Sequence, residues 1–215
     1  MTINVNLKIF LFAILFYFTK QIEIYALLMF FAFIHEMGHL ICGLLLGLKP
    51  KALKIMPLGI CIEFSVIYKD YNKKIKNGNV LNVKKMILAI AGPITNIIII
   101  MLYIFCKNHI GISKEIIYAN LLIAVFNLIP IYPLDGGRFL KELVHIIKGK
   151  KESIECINFI SNACTILLTM VASVGIYYYK NIAILLIISY LWILTITENK
   201  KYNMKKRIYK IIENS

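Results

Sequence analysis

The residues best suited to chemistry are His35, Glu36 and His39, which form the pattern H-E-x-x-H. Residues four apart on a helix project from one face with Cβ atoms ~5–6 Å apart, so the two imidazoles can converge on one metal ion. Glu36 is displaced by about 100° around the helix and can reach a water held by that metal. Zinc in hydrolytic sites takes three protein ligands and lowers the pKa of its water to ~7. The pattern therefore predicts a hydrolytic zinc site.

The setting of this triplet strengthens the metal-site interpretation. It lies inside an apolar run, Ile24 to Leu48, that contains no other charged side chain. An ionisable group near the bilayer centre costs at least ~2.5–3.5 kcal/mol, and desolvated polar groups without partners are expensive. A proton or ion pathway is the competing interpretation, but it would need polar residues along several helices, and the other apolar runs contain few. A noncatalytic metal carrier or scaffold stays open as a second alternative.

Asp135 is a candidate third ligand. It ends the sequence that begins at Asn127 and contains Pro130 and Pro133. Two prolines three apart cannot continue an α-helix without kinking it, and Asp-Gly-Gly supplies a turn. We expect Asp135 on an irregular segment, which is tolerated at membrane depth only where protein or water surrounds it. Capping of the helix expected to begin near Arg138 is an equally open role.

The five cysteines contain no C-x-x-C pair, so nothing in their spacing asks for disulfides. Cys42 follows His35 by seven residues and His39 by three, which places it on the same helical face. It is an alternative third ligand. A cysteine in an apolar segment is more often a small packing residue, so Asp135 is the preferred candidate.

A second polar interruption occurs at Gly92-Pro93-Ile94-Thr95-Asn96. Glycine permits close approach of a neighbouring helix, and proline leaves a backbone carbonyl without its usual donor. Asn96 can then orient a ligand or hold substrate. Helix packing through Gly92, with Asn96 as an interhelical hydrogen-bonding group, is the simpler explanation.

The composition indicates a membrane protein. The 215 residues are 60% hydrophobic with a mean hydropathy of +0.75, whereas soluble domains are ~45–50% apolar. A bilayer core needs ~20 helical residues, and we expect about six spans in an all-α polytopic fold that forms one domain, residues 1–215. The apolar runs are Ile9 to Thr19, Ile24 to Leu48, Met86 to Phe105, Ile116 to Leu134, Cys156 to Tyr179 and Ile182 to Thr197.

The net charge of +14 first suggests nucleic acid, but the basic residues are unevenly placed. With six spans, most of them fall on the side that holds both termini, the loop from Lys49 to Lys85 and the loop from Arg138 to Lys151. Basic loops stay in the cytoplasm and commonly contact anionic lipid. We therefore predict a multi-pass protein of the cell membrane with both termini cytoplasmic, the bilayer as a partner, and no nucleic-acid partner.

The segment from Ile55 to Tyr68, which includes Gly59, is rich in strand-forming residues. It predicts one strand or a small hairpin between the second and third spans. Strands cannot lie open in lipid, so the segment should rest at the interface or pack on helices. A compact loop is the simpler interpretation, and an edge strand that pairs with an extended substrate is the more specific one.

Three features occur in a fixed order: H-E-x-x-H at residues 35–39, G-P-x-x-N at 92–96 and N-x-x-P-x-x-P-L-D-G-G at 127–137. Together they resemble the site-2 protease family of intramembrane zinc metalloproteases. The resemblance covers about residues 24–140. It implies hydrolysis of a peptide bond in or near the membrane-associated segment of a substrate protein.

The resemblance also implies roles for individual residues. One Zn²⁺ per chain would be held by His35, His39 and Asp135, with Glu36 as general base and then general acid. Membrane inhibitor or regulator proteins are further implied partners. The residues expected to bind substrate or support the site are Asn127, Asn96, Gly59, Pro130 and Pro133.

Within that family the chain looks like the small sporulation-type members, which release a transcription factor from a membrane-tethered precursor. We expect no PDZ domain, because no polar segment is long enough. We also expect no CBS domain, because only the short basic tail at residues 198–215 follows the last span. A different integral zinc peptidase is the remaining alternative, but its third ligand would come from a later apolar span, where this sequence offers no such glutamate or histidine.

Overall fold

The computed structural model describes residues 2–5, 7–56, 59–65, 76–106, 114–179 and 182–213. Contacts divide the chain into two compact units, residues 1–128 and 129–215. In chain order the elements of the described residues are β1 (Thr2–Val5), α1 (Lys8–Phe18), α2 (Ile22–Leu45), β2 (Lys49–Met56), β3 (Gly59–Ser65), α3 (Lys76–Phe105), α4 (Lys114–Leu128), α5 (Asp135–Lys148), α6 (Lys150–Tyr179) and α7 (Ile182–Glu213).

The first unit is built around α2, which packs against α3, α4 and β3. A small apolar core joins these helices, with Phe31 of α2 against Ala119 and Ile123 of α4. Phe31 lies four residues before His35, so its packing fixes the helical face that carries both histidines. The core therefore holds the H-E-x-x-H turn at a defined position between α3 and α4.

The predicted hairpin is present, because β2 and β3 pair antiparallel. Two details differ from the expectation. The pairing begins at Lys49, before the predicted Ile55, and β1 adds a parallel strand on the far side of β2, giving the order β1-β2-β3. Residues 66–68 of the predicted strand segment lie outside the described residues. Among the described strands, β3 forms the edge of the sheet that faces α2.

The second unit consists of α5, α6 and α7, with α6 packed on both of the others. Polar pairs join α6 to α7: Asn162 and Asn199 exchange amide hydrogen bonds of 3.2 and 2.9 Å, and the hydroxyl oxygens of Thr165 and Thr195 lie 3.0 Å apart. Hydrogen bonds of this kind hold helices together in apolar surroundings, where burial of apolar surface adds little.

Both apolar and polar side chains are buried in the described residues, and many large apolar side chains are exposed. Long apolar faces of α2, α3 and α6 are exposed, which is typical of a surface that meets lipid. Three helical stretches among the described residues are long and apolar enough to cross a membrane: Ile22–Leu45, Asn79–Phe105 and Lys150–Tyr178.

The expectation of about six spans is therefore met in part. The first predicted span forms only the 11 residues of α1. The fourth forms the 15 residues of α4, which ends at Leu128 because Pro130 and Pro133 cannot continue it. The sixth becomes the apolar start of α7, whose second half is strongly basic.

Candidate metal centre

The side chains of His35, Glu36 and His39 are buried on one turn of α2. The Nε2 atoms of the two histidines face each other at 3.2 Å. Two Zn–N bonds of 2.0–2.1 Å at a tetrahedral angle place the nitrogens ~3.3–3.4 Å apart. The two imidazoles thus already have the separation of zinc ligands.

The hydrogen bond of His39 fixes which of its two ring nitrogens carries the proton. Its Nδ1 lies 2.7 Å from the backbone carbonyl oxygen of Leu88 on α3. A carbonyl can only accept, so the neutral ring carries its proton on Nδ1 and a lone pair on Nε2. Metal-binding histidines in proteins commonly donate their other ring nitrogen in this way.

His35 is oriented through two asparagines. Its Nδ1 lies 2.5 Å from Oδ1 of Asn96 on α3, and Nδ2 of Asn96 donates to Oδ1 of Asn120 on α4 at 2.9 Å. Both asparagines are 0% exposed. Sequence reasoning placed Asn96 near the site but missed Asn120. The available signal was an asparagine in the middle of an apolar helix, where polar groups need a partner.

These hydrogen bonds direct two lone pairs at each other across 3.2 Å. That arrangement is repulsive between neutral rings and becomes favourable when a cation lies between the nitrogens. The donor set, two neutral imidazoles in a buried turn, suits zinc. The observed geometry therefore fits a divalent metal.

Gly92 makes this arrangement possible. A Cβ at this position of α3 would overlap Nε2 of His39 and Nε2 of His35. One turn along, a Cβ at Gly38 of α2 would overlap Thr95 of α3. Small residues let the two helices approach until the imidazoles lie against the backbone of α3. The close approach predicted for Gly92 is confirmed, and the surface it meets is the pair of histidines.

Replacing Gly92 by Ala is expected to weaken zinc binding by at least ~10-fold, since the methyl group displaces imidazoles that hydrogen bonds to Asn96 and Leu88 hold in place. Overpacking should also cost ~1–3 kcal/mol of stability. Competition with a zinc chelator measures the first effect. Gly175→Ala is the matched control, because its Cβ would lie 3.7 Å from Ile184, an ordinary contact. Unchanged zinc affinity in Gly92→Ala would show that the imidazoles do not depend on this contact.

Glu36 points to the side of α2 that faces the sheet. The backbone N–H of Ile62 in β3 donates to Oε2 of Glu36 at 3.2 Å. Close packing of α2 on β3 allows this bond, because a Cβ at Gly43 would overlap the ring of Phe64. A carboxylate held by one backbone donor keeps further lone pairs for a second partner. Sequence reasoning could not identify Ile62, because a backbone donor leaves no residue signature.

Asp135 is the first residue of α5 and is buried. The N-cap residue is Leu134, and no side chain forms a capping hydrogen bond there, so the capping role left open above is not observed. The helix also begins at Asp135 and not near Arg138. The Oδ1 atom of Asp135 lies 3.6 Å from the Arg138 guanidinium. Residues 129–134, with Pro130 and Pro133, form the expected irregular segment before it.

Close chain packing fixes this segment. A Cβ at Gly137 would overlap the backbone of Ile131 and Tyr132. The backbone N–H of Tyr132 donates to Oγ of Ser161 on α6 at 3.0 Å. The peptide bond between Tyr132 and Pro133 is cis. The start of α5 is thus anchored to its own neighbours within the second unit.

His35 and His39 belong to the first unit and Asp135 to the second. All three side chains are buried, and each offers one atom that could bind a metal ion. Asp135 as the third ligand, and Cys42 as its alternative, remain predictions. Among the other predicted residues, the side-chain amide of Asn127 donates to the backbone carbonyl oxygen of Ile123 in its own helix at 3.0 Å. Gly59 is the first residue of β3 and pairs with Met56 of β2. Site-supporting roles for Asn127, Gly59, Pro130 and Pro133 remain predictions.

Comparison with known proteins agrees with this picture. Residues 107–171 match Peptidase family M50. A zinc metalloprotease of Methanocaldococcus jannaschii is 27% identical over 118 residues, which are 52% of this chain and 31% of that protein. A protein from Synechocystis sp. is 30% identical over 134 residues, 59% of this chain and 32% of that protein. The chain thus spans only part of the length of the curated relatives it matches.

Among solved structures, the site-2 protease from Methanocaldococcus jannaschii superposes with a TM-score of 0.68 at 20% identity, covering 91% of this chain and 89% of that one. At this identity the superposition establishes the fold. Residues 107–171 are therefore similar to Peptidase family M50, and the chain has the fold of the site-2 protease from Methanocaldococcus jannaschii.

Proposed function

We propose that this protein is an intramembrane zinc metalloprotease with one zinc ion per chain. The observation that carries the proposal is the pair of buried imidazoles of His35 and His39, whose Nε2 atoms lie 3.2 Å apart, with Glu36 on the same turn. The buried carboxylate of Asp135 is the third ligand that we propose. The matches to Peptidase family M50 and to a zinc metalloprotease support the same chemistry. The domain we propose is the whole of residues 1–215, with the catalytic core at residues 24–140.

When bound, zinc would polarise a peptide carbonyl and make water acidic enough to act as a nucleophile at neutral pH. Glu36 would take the proton from that water and later return it to the leaving amine. The Ile62 N–H would hold one oxygen of Glu36 and so orient the carboxylate for the proton transfer. Leu88 and Asn96 would accept the Nδ1 protons of His39 and His35, which directs the Nε2 lone pair of each ring at the metal.

The sheet edge offers a way to present the substrate. A peptide bond must be locally extended to be attacked, because helical amides are hydrogen bonded and hidden. Since the N–H of Ile62 points away from β2 toward Glu36, the alternation of an antiparallel strand directs the backbone groups of Ile60 and Phe64 the same way. We propose that an extended substrate pairs with this edge beside Glu36.

Replacing Ile60 by Pro should lower kcat/KM by ~2–10-fold, because it removes one backbone donor worth ~0.5–1.5 kcal/mol. Proline is tolerated where the N–H of an edge strand faces outward, so the hairpin and zinc content should persist. Ile60→Ala keeps the donor and is the matched control. Equal cleavage rates for the two variants would argue against substrate pairing at this position.

The remaining parts of the proposal concern location and partners. We propose a multi-pass protein of the cell membrane with about six spans and both termini cytoplasmic. Its substrate would be a membrane-tethered protein, most simply a transcription factor precursor of the kind processed during sporulation. Membrane inhibitor or regulator proteins would control it. The uneven distribution of basic residues and the apolar faces of α2, α3 and α6 support the location.

The test is cleavage of a membrane-tethered reporter by the purified protein in lipid vesicles. We expect cleavage that stops when a chelator removes the metal and returns when one equivalent of zinc is added. A noncatalytic metal carrier is the alternative function. It would bind zinc with the same stoichiometry and leave every reporter intact, and that result would overturn the proposal.

A further inference from the structure

We propose that Asn120 is a positioning residue that fixes the zinc-binding tautomer of His35 by fixing the amide orientation of Asn96. The inference rests on the zinc site proposed above. It concerns a residue that is joined to His35 through the side chain of Asn96 and that lies on a third helix, α4. It assigns a function to a buried polar contact that would otherwise be regarded as helix packing.

The direction of the hydrogen bonds follows from one fixed acceptor. Nδ2 of Asn120 lies 2.9 Å from the backbone carbonyl oxygen of Ile116, one turn earlier in α4. A backbone carbonyl only accepts, so the amide nitrogen of Asn120 must face it and Oδ1 must face Asn96. Asn96 then presents its nitrogen to Asn120 and its oxygen to His35. The last donor is therefore the Nδ1–H of His35.

This direction decides whether His35 can bind metal. An asparagine amide has nearly the same shape when its oxygen and nitrogen are exchanged. If the Asn96 amide were reversed, its N–H would point at Nδ1 of His35, which would have to accept. A neutral ring would then carry its proton on Nε2, the atom that faces His39 at 3.2 Å. Asn120 prevents this reversal. Its oxygen can accept a hydrogen bond from the nitrogen of Asn96 but would face the oxygen of a reversed amide without a proton between them.

Water cannot easily replace Asn120 in this role. Asn96 and Asn120 are both 0% exposed. His39 does not need a comparable device, because Leu88 accepts its proton directly from the main chain. His35 faces a side-chain amide, which has two orientations, and so it needs a second group to select one. Groups that hydrogen-bond to a metal-binding side chain typically change metal affinity by ~10–100-fold.

Three variants of the full chain separate positioning from packing. Asn120→Leu removes the acceptor. Asn120→Asp restores it, because a neutral carboxylic acid can donate to the Ile116 carbonyl and accept from Asn96. Asn162→Leu is the control, since it breaks a comparable amide pair, with Asn199, that lies between α6 and α7. Zinc affinity is measured by chelator competition in detergent, and thermal unfolding of each variant is followed alongside.

We expect Asn120→Leu to bind zinc ~10–100-fold more weakly than the unmodified protein, Asn120→Asp to recover most of that loss, and Asn162→Leu to bind zinc normally. Unchanged affinity in Asn120→Leu would overturn the inference. So would an equal loss in Asn162→Leu, since that would indicate a general packing effect. If Asn120→Leu does not fold, the zinc affinity of Asn120→Asp is compared with that of Asn162→Leu. We expect the two affinities to be similar, and a much weaker affinity in Asn120→Asp would overturn the inference.

A measurement on the unmodified protein needs no variant. In protein labelled with ¹⁵N at histidine and loaded with zinc, Nδ1 of His35 should carry a proton and Nε2 should not. A proton on Nε2 would overturn the inference. Failure of the unmodified protein to bind zinc at all would instead overturn the proposed function, so the two failures are distinguishable.

Discussion

Replacing Glu36 by Gln is expected to abolish measurable cleavage while zinc stays bound. A glutamine cannot take a proton from water, and the loss of a general base costs ~10²–10⁴-fold in rate. The amide oxygen of glutamine can still accept from the Ile62 N–H, so the contact between α2 and β3 should survive. Cleavage of a membrane-tethered reporter and zinc content are measured on the same preparation.

Glu63→Gln is a control for this prediction, because it makes the same chemical change on β3, close to Ile62. It should cleave at the normal rate. Cleavage by Glu36→Gln at more than about a tenth of the normal rate would remove Glu36 as the general base. Loss of zinc together with activity would instead indicate that Glu36 supports the metal, and the assignment of the base would again be contradicted.

Replacing Asp135 by Ala should release zinc and abolish cleavage. Loss of a second-shell partner weakens metal binding by ~10–100-fold, and loss of one of three direct ligands should exceed that range. The fold of the second unit should be little affected. As a first-turn acidic residue Asp135 contributes only ~0.3–1 kcal/mol to α5 through the helix dipole. Zinc affinity and thermal unfolding are the two readouts.

Arg138→Gln separates the metal-binding role proposed for Asp135 from its ion pair with Arg138. It removes the ion pair at 3.6 Å and leaves the carboxylate in place. We expect this variant to bind zinc and to cleave. If Arg138→Gln lost zinc as severely as Asp135→Ala, the effect would come from the ion pair, and Asp135 would not be the third ligand.

The local features of this site were readable from the sequence because they depend on short spacing. His35 and His39 share a helical face whatever surrounds them, and prolines at 130 and 133 end α4 by removing donors and clashing with the preceding turn. The hairpin followed from its β-branched and aromatic residues. In each case one segment contains all the information that determines the structure.

Features that depend on distant segments were not readable. Asn120 is 85 positions from His35 in the sequence, and no spacing rule joins them. The Ile62 N–H that holds Glu36 is a backbone group that any residue would supply. The parallel pairing of β1 with β2 joins the chain start to a strand near residue 52. Such contacts are set by tertiary packing, and local propensity carries little information about it.

The number of spans was also predicted only in part. Hydropathy shows how long an apolar run is, but it does not show where the helix within that run ends. Ile116 to Leu134 reads as one apolar run, yet α4 ends at Leu128 and the rest of the run is irregular. That irregular part is also what allows Asp135 to begin a new helix. The departure from a regular span is therefore located at the proposed site, where such departures are expected.

X-ray absorption of the zinc-loaded protein tests the central claim most directly. We expect one zinc per chain with two imidazole nitrogens at ~2.0–2.1 Å, carboxylate oxygen at ~2.0–2.2 Å and no sulfur. A sulfur neighbour at ~2.3 Å would identify Cys42, or another cysteine, as the third ligand in place of Asp135. That result, or the absence of stoichiometric zinc, would contradict the account.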